Sequence, residues 1–159
     1  MNPGFILVLT FNAQCMNTGK TTRGALEDIN VSLKLKVAAL WASLMFLYIY
    51  VDYFHLYMPD KMEDILRGVV FKFDITQRFL FAALVSMTIP ALMIFLSVAL
   101  PARGNRLANM IVAIIYIPYT LFNLAGEEPW MHMVFAAAAE VLLLCIIIFY
   151  AWKWPRLEK

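Results

Sequence analysis

The chain has 159 residues, 63% hydrophobic and 15% charged, against about 45–50% apolar and about 25% charged in soluble domains. That balance excludes a water-soluble fold. The net charge is only +2, and the basic residues lie in small groups between apolar runs. No basic face is left that could follow nucleic-acid phosphates, so nucleic acid is excluded as a partner. The length suits one membrane domain.

In chain order, residues 5–11 are apolar but too short to span, and they lack the basic start and small-residue cleavage site of a signal peptide. They read as a peripheral or disordered extension. Gly19-Lys20-Thr21-Thr22 has the tail of a phosphate-binding loop, but Gln14 stands where the earlier glycine is required, and no soluble α/β domain follows. That reading is rejected. Cys15 falls in a polar segment and Cys145 deep in an apolar run, so neither a disulfide nor a cysteine metal site is expected.

Four apolar runs follow, at residues 37–58, 79–100, 107–124 and 131–152. Each approaches or exceeds the roughly 18–20 residues with which a helix crosses about 30 Å of hydrocarbon. Backbone in lipid must satisfy its own hydrogen bonds, and the spacing leaves no room for a closed barrel, so the runs predict helices. The expected fold is an all-α integral membrane four-helix bundle. Residues 1–36 form an N-terminal cytoplasmic segment, 37–152 the membrane domain, and 153–159 a cytoplasmic tail.

Orientation follows from the basic residues near the helix ends. With the N-terminus inside, nine lie on the cytoplasmic side: Lys20, Arg23, Lys34, Lys36, Arg103, Arg106, Lys153, Arg156 and Lys159. Four lie outside, Lys61, Arg67, Lys72 and Arg78, each near an acidic residue. The bias predicts both termini inside. Trp41, Trp130, Trp152 and Trp154 lie near the predicted helix ends, where aromatic anchors sit at headgroup level.

The outer segment between the first two spans predicts a short amphipathic surface helix. Asp60 is its candidate cap, with Glu63 three residues on, and Met62, Ile65, Leu66 and Val69 recur at helical spacing around Gly68. Asp74-Ile75-Thr76 then offers caps for the second span.

Ionisable groups inside a span cost about 2.5–3.5 kcal/mol each at the centre on insertion scales, so each asks for a reason. Asp52 in the first span and Glu140 in the fourth qualify. Steps of three and four set Trp41, Met45, Tyr48, Asp52 and His55 on one stripe, which predicts that Tyr48, Asp52 and His55 point inward together. His132 and Ala136 share a face with Glu140, which lies about 12 Å deeper than His132 at 1.5 Å per residue. Asn123 closes the third span on the same side. These positions predict a polar cavity opening outward, with the strongly polar residues gathered in the outer half.

Two chemistries suit such a cavity. Desolvated carboxylates beside neutral histidines relay protons or bind a cation. Alternatively His55, His132, Asp52 and Glu127 or Glu128 hold a divalent metal, or the two histidines ligate haem across helices. Neither has a spacing motif behind it, and no catalytic signature is present. The structural alternative is that Asp52 bonds to a neighbouring helix and the histidines reach interfacial water. Ala136 to Ala139 form a small-residue patch suited to close helix approach. Pro90 and Pro118 each remove a helical hydrogen bond and are candidate kinks.

The stretch Leu40-Trp41 and then Met45-Phe46-Leu47-Tyr48-Ile49-Tyr50-Val51-Asp52-Tyr53-Phe54-His55-Leu56-Tyr57, preceded by Leu26-Glu27-Asp28 and Lys34-Leu35-Lys36, resembles the first span of a bacterial family of small four-helix membrane proteins of unknown function. The resemblance runs from about Leu26 to the end of the chain. It implies the four-span topology and a bacterial cell membrane, and it carries no activity. The first residues depart from the pattern, which points to a translation start at Met16.

Together these features predict a small protein of the lipid bilayer, oligomeric or joined to a membrane partner. It binds or transports a small solute or cation at Tyr48, Asp52, His55, Asn123, His132 and Glu140. The alternatives are a non-catalytic structural or regulatory subunit and a haem- or metal-binding redox protein.

Overall fold

Each apolar run forms a helix, and the first three begin earlier than hydropathy alone marks, because their polar first turns continue the same backbone hydrogen bonding. The structure, a computed structural model, describes residues 30–70, 73–125 and 130–155. The readings made on residues 5–11, Cys15, Met16, Gly19 to Thr22, Glu127, Glu128, Arg156 and Lys159 fall outside these. Helix α1 is Leu33–His55, the short α2 is Lys61–Leu66, and strands β1 and β2 are Val69–Val70 and Phe73–Asp74. Helices α3, α4 and α5 are Gln77–Ala99, Ala102–Ala125 and Met131–Trp152. Among the described residues, α1, α3, α4 and α5 are long and apolar enough to cross a membrane. The chain is a multi-pass membrane protein with an all-α bundle fold.

Helix α1 packs on α3 and α5, and α4 packs on α5 and more lightly on α3. Chain neighbours are thus antiparallel, and α1 and α4 face each other diagonally across the core. The core comprises Val37, Trp41, Leu44 and Tyr48 of α1, Met93 of α3, Ala113 and Tyr116 of α4, and Leu144 and Ile147 of α5. Steps of three and four keep each set on one stripe. Phe46, Phe81, Phe95, Phe122 and Phe135 point outward instead. Lipid is as apolar as the core, so helix association rests on close packing and hydrogen bonds. Ala136 and Ala137 are buried and let the α5 backbone approach its neighbours.

At one end of the bundle, Lys34 Nζ donates to the Val98 and Leu100 carbonyls, at 3.2 and 2.6 Å. A cation thereby covers carbonyls that α3 leaves unpaired at its C-terminus, where the helix dipole favours positive charge. We call this the Lys34 end and the opposite one the His55 end. Trp130 and Trp152 are exposed at helix termini, as expected of anchors. Trp41 is not an anchor: α1 begins at Leu33, so Trp41 lies more than two turns in and is fully buried.

The connection from α1 to α3 holds α2 and a two-stranded antiparallel hairpin that pairs Val69 with Asp74 and Val70 with Phe73. Two-residue strands show no alternation, so hydropathy gave no sign of them. The expected cap on Asp60 is absent: its backbone is left-handed, with φ 63°, and its side chain makes no capping bond. Glu63 pairs instead with Arg67 at 2.5 Å, one turn on. Gly68 takes φ 82° at the turn into β1, a conformation that glycine adopts without steric cost. Thr76 does cap α3, its Oγ1 accepting from the Phe79 N–H at 3.2 Å. Thr76→Ala is expected to lower stability by about 1 kcal/mol, read by denaturant unfolding in lipid micelles.

Inside α3, Pro90 has no N–H to give to the Ser86 carbonyl four residues back. The vacated acceptor is taken by the Tyr116 hydroxyl of α4. Pro118 in α4 lies on an exposed face.

Candidate functional site

The inward stripe of α4 is polar over most of its length: Asn105, Asn109, Ala113, Tyr116 and Thr120 are its buried residues. An apolar helix surface would serve packing, so hydroxyls and amides facing inward must meet partners or leave costly unsatisfied groups. They meet them in two layers.

In the half toward the His55 end, Thr120 stands between α1 and α5. Its hydroxyl donates to Glu140 Oε2 at 3.1 Å and lies 3.3 Å from the Tyr48 hydroxyl. An ionised carboxylate only accepts, so the Thr120 proton goes to Glu140 and Tyr48 donates to Thr120. Glu140 is 5% exposed and lies nine residues, or about 13 Å, along α5 at 1.5 Å per residue. No cationic side chain contacts Glu140 among the described residues, and its charged neighbour within Coulombic reach is Asp52.

Asp52 does not point into the core with Tyr48. Its side chain is exposed, one turn nearer the His55 end. At 100° per residue, Asp52 falls about 50° off the centre of the stripe of Val37, Trp41, Leu44 and Tyr48, while His55 returns to it. His55 is half-buried and interacts electrostatically with Asp52. The predicted common inward direction therefore holds for Tyr48 and His55 but not for Asp52.

The remaining predicted residues stand apart. Asn123 is exposed. His132 is half-buried beside Trp130, with ring centroids 6.1 Å apart, and its buried Nε2 has no hydrogen-bond partner among the described residues. Neither bonds to Glu140. Among the described residues, no group of three or more His, Cys, Asp or Glu side chains could hold a metal ion. Glu127 and Glu128, the remaining ligands of that alternative, lie outside them.

The second layer lies toward the Lys34 end. Asn109 Oδ1 accepts from Trp41 Nε1 at 2.6 Å and from the Ser97 hydroxyl at 3.1 Å. Its Nδ2 donates to the Asn105 backbone oxygen at 2.9 Å and to Asn105 Oδ1 at 2.5 Å. Asn105 Nδ2 in turn donates to the Ser97 carbonyl at 2.5 Å. Three helices are joined, and the amide of Asn109 uses both its oxygen and its nitrogen. This layer corrects the expectation that the strongly polar residues gather in the outer half.

Thr120, Asn109, Asn105 and Ser97 were not singled out from the sequence. Asn105, Asn109, Ala113, Tyr116 and Thr120 recur at steps of four and three, a legible signal for an inward face. It was obscured because the predicted span opened at residue 107, after Asn105.

Residues 28–159 match a family model described as a family of unknown function, DUF6326. The chain belongs to the DUF6326 family. Neither the curated proteins nor the solved structures compared with it include a match. Both polar layers of this DUF6326 protein, from Trp41 to Glu140, lie within the matched region. The first-span resemblance thus agrees with the family assignment.

Proposed function

We propose that this DUF6326 protein takes up a proton or small cation at Glu140 and uses it to bind, move or sense a small solute from the His55 side. The observation that carries this reading is an enclosed carboxyl near mid-span, held by one hydroxyl and compensated by no cation among the described residues. An intramembrane acid in that state is costly to keep and suits reversible charging. Asp52, exposed toward the His55 end and within Coulombic reach, serves as the outer relay. The charge bias makes the His55 end the outer face, and the first-span resemblance supports a bacterial cell membrane. Four helices enclose little volume, so assembly with further copies or a membrane partner belongs to the proposal.

The test is proton movement in proteoliposomes under an imposed pH gradient, followed with a pH-sensitive dye. Wild type is expected to move protons, Glu140→Gln to fall to the level of empty vesicles, and Asp52→Asn to slow severalfold. Equal movement in wild type and Glu140→Gln overturns the proposal.

A second reading is favoured by the satisfied layer of Trp41, Ser97, Asn105 and Asn109. Such a network specifies helix pairing, as in a structural or regulatory subunit. Under that reading, substitutions at both layers change assembly or stability while no flux is present to lose.

A further inference from the structure

Glu140 is enclosed by its neighbours, so a route to it from the lipid passes a seam between helices. The seams differ. α3 is the least buried of the four spans, and its contact with α4 is the slightest among neighbouring helices. In the half toward the His55 end, that seam is bridged by hydroxyls. Tyr116 donates to the Ser86 carbonyl, and the Tyr119 hydroxyl lies 3.2 Å from Ser86 Oγ. Ser86 Oγ also donates to the Ala83 carbonyl at 2.7 Å, so its own proton is committed within α3. Tyr119 is then the donor across the seam.

Pro90 supplies no helical N–H to the Ser86 carbonyl, which leaves that acceptor to Tyr116. Helices bend most readily at proline, so the residue that frees the latch point is also the candidate hinge of α3. The latch adjoins the acid. Tyr116 and Tyr119 are within Coulombic reach of Tyr48, and the residue after Tyr119 is Thr120, bonded to Glu140.

We propose that the seam between α3 and α4, in the half toward the His55 end, is a lateral portal to Glu140. Release of Ser86 by Tyr116 and Tyr119 lets residues 77–89 swing about Pro90. The portal opens to the leaflet and not to water, so it suits an amphiphilic solute with an apolar body and one cationic or hydrogen-bonding group. This rests on Glu140 as the binding carboxyl of the proposed function.

The test is chemical labelling of the full chain in liposomes with a lipid-soluble and a water-soluble carbodiimide, the Glu140 adduct being quantified by mass spectrometry. Glu140→Gln identifies the signal, and exposed Asp60, outside the spans, reports that the water-soluble reagent is active. The lipid-soluble reagent is expected to label Glu140 in wild type, severalfold faster in Tyr116→Phe and more slowly in Pro90→Ala. Tyr119→Phe, a milder change, is expected to fall between wild type and Tyr116→Phe. The water-soluble reagent should label Asp60 and leave Glu140 largely unmodified throughout. Equal or faster labelling of Glu140 by the water-soluble reagent overturns the portal. So does a lipid-soluble rate that none of the three variants moves, or no Glu140 adduct with either reagent. Because labelling does not depend on flux, the portal and the proton role of Glu140 fail separately.

Discussion

Asn109→Ala is expected to lower the free energy of unfolding by about 1–3 kcal/mol, measured by denaturant titration in lipid micelles. The side chain is fully buried and joins α1, α3 and α4 through Trp41, Ser97 and Asn105. Alanine leaves the Trp41 indole N–H with no acceptor in a region that water does not reach. Single interhelical hydrogen bonds in membranes average about 0.6 kcal/mol and reach about 1.7. The larger figure expected here comes from removing a node that holds two such bonds at once. Ser97→Ala removes one arm and should cost under about 1 kcal/mol. The double variant Ser97→Ala with Asn109→Ala should then cost less than the two singles added, because both remove the same contact. An Asn109→Ala protein as stable as wild type would show that the layer does not hold the helices.

Glu140→Leu is expected to act in the opposite sense, raising stability by about 1–2 kcal/mol while abolishing proton movement. Leucine needs no hydrogen-bond partner in the core. The Thr120 hydroxyl, released from the carboxyl, can turn to the Tyr116 carbonyl four residues back, a local bond open to threonine in helices. Tyr48 keeps its acceptor on Thr120, so no buried donor is stranded. Gain of stability with loss of transport is the signature of a group retained for function at a cost to the fold. A marked loss of stability in Glu140→Leu would instead assign the carboxyl to helix pairing, as the structural reading requires. The same unfolding and proteoliposome measurements decide both points.

The contrast between these substitutions reflects how differently the two layers use polarity. Around Asn109 the side-chain polar atoms of Trp41, Ser97, Asn105 and Asn109 each have a partner, and the network joins three helices. Around Glu140 a single hydroxyl meets a carboxyl that has two oxygens and a charge to place. The first arrangement is complete as it stands. The second has capacity for a proton or a ligand.

Glu140 was legible in the sequence as an acid deep in an apolar run with no basic residue beside it, and Tyr48 as part of an inward stripe. Thr120 was not, because a threonine in a span carries no cost that singles it out until its partners are known. Asp52 was misplaced for a geometric reason. A step of four overshoots the 3.6-residue turn, and at the end of the stripe the accumulated offset carried it off the core face. Trp41 was misplaced because the hydropathy onset at residue 37 hid the first turn of α1, making a core residue look terminal.

By itself the sequence determined the four crossings and the all-α class, since a chain in hydrocarbon must satisfy its backbone locally and run lengths count the spans. It also marked the residues too costly to be buried without a reason. Only the tertiary structure decided which faces meet: the diagonal pairing of α1 with α4, the two polar layers, and the Tyr116 bond to the carbonyl vacated by Pro90. In a soluble protein, apolar periodicity points to the core. Here the solvent is as apolar as the core, so a leucine facing lipid and one facing a neighbouring helix look alike in sequence, and only packing and hydrogen-bond partners tell them apart.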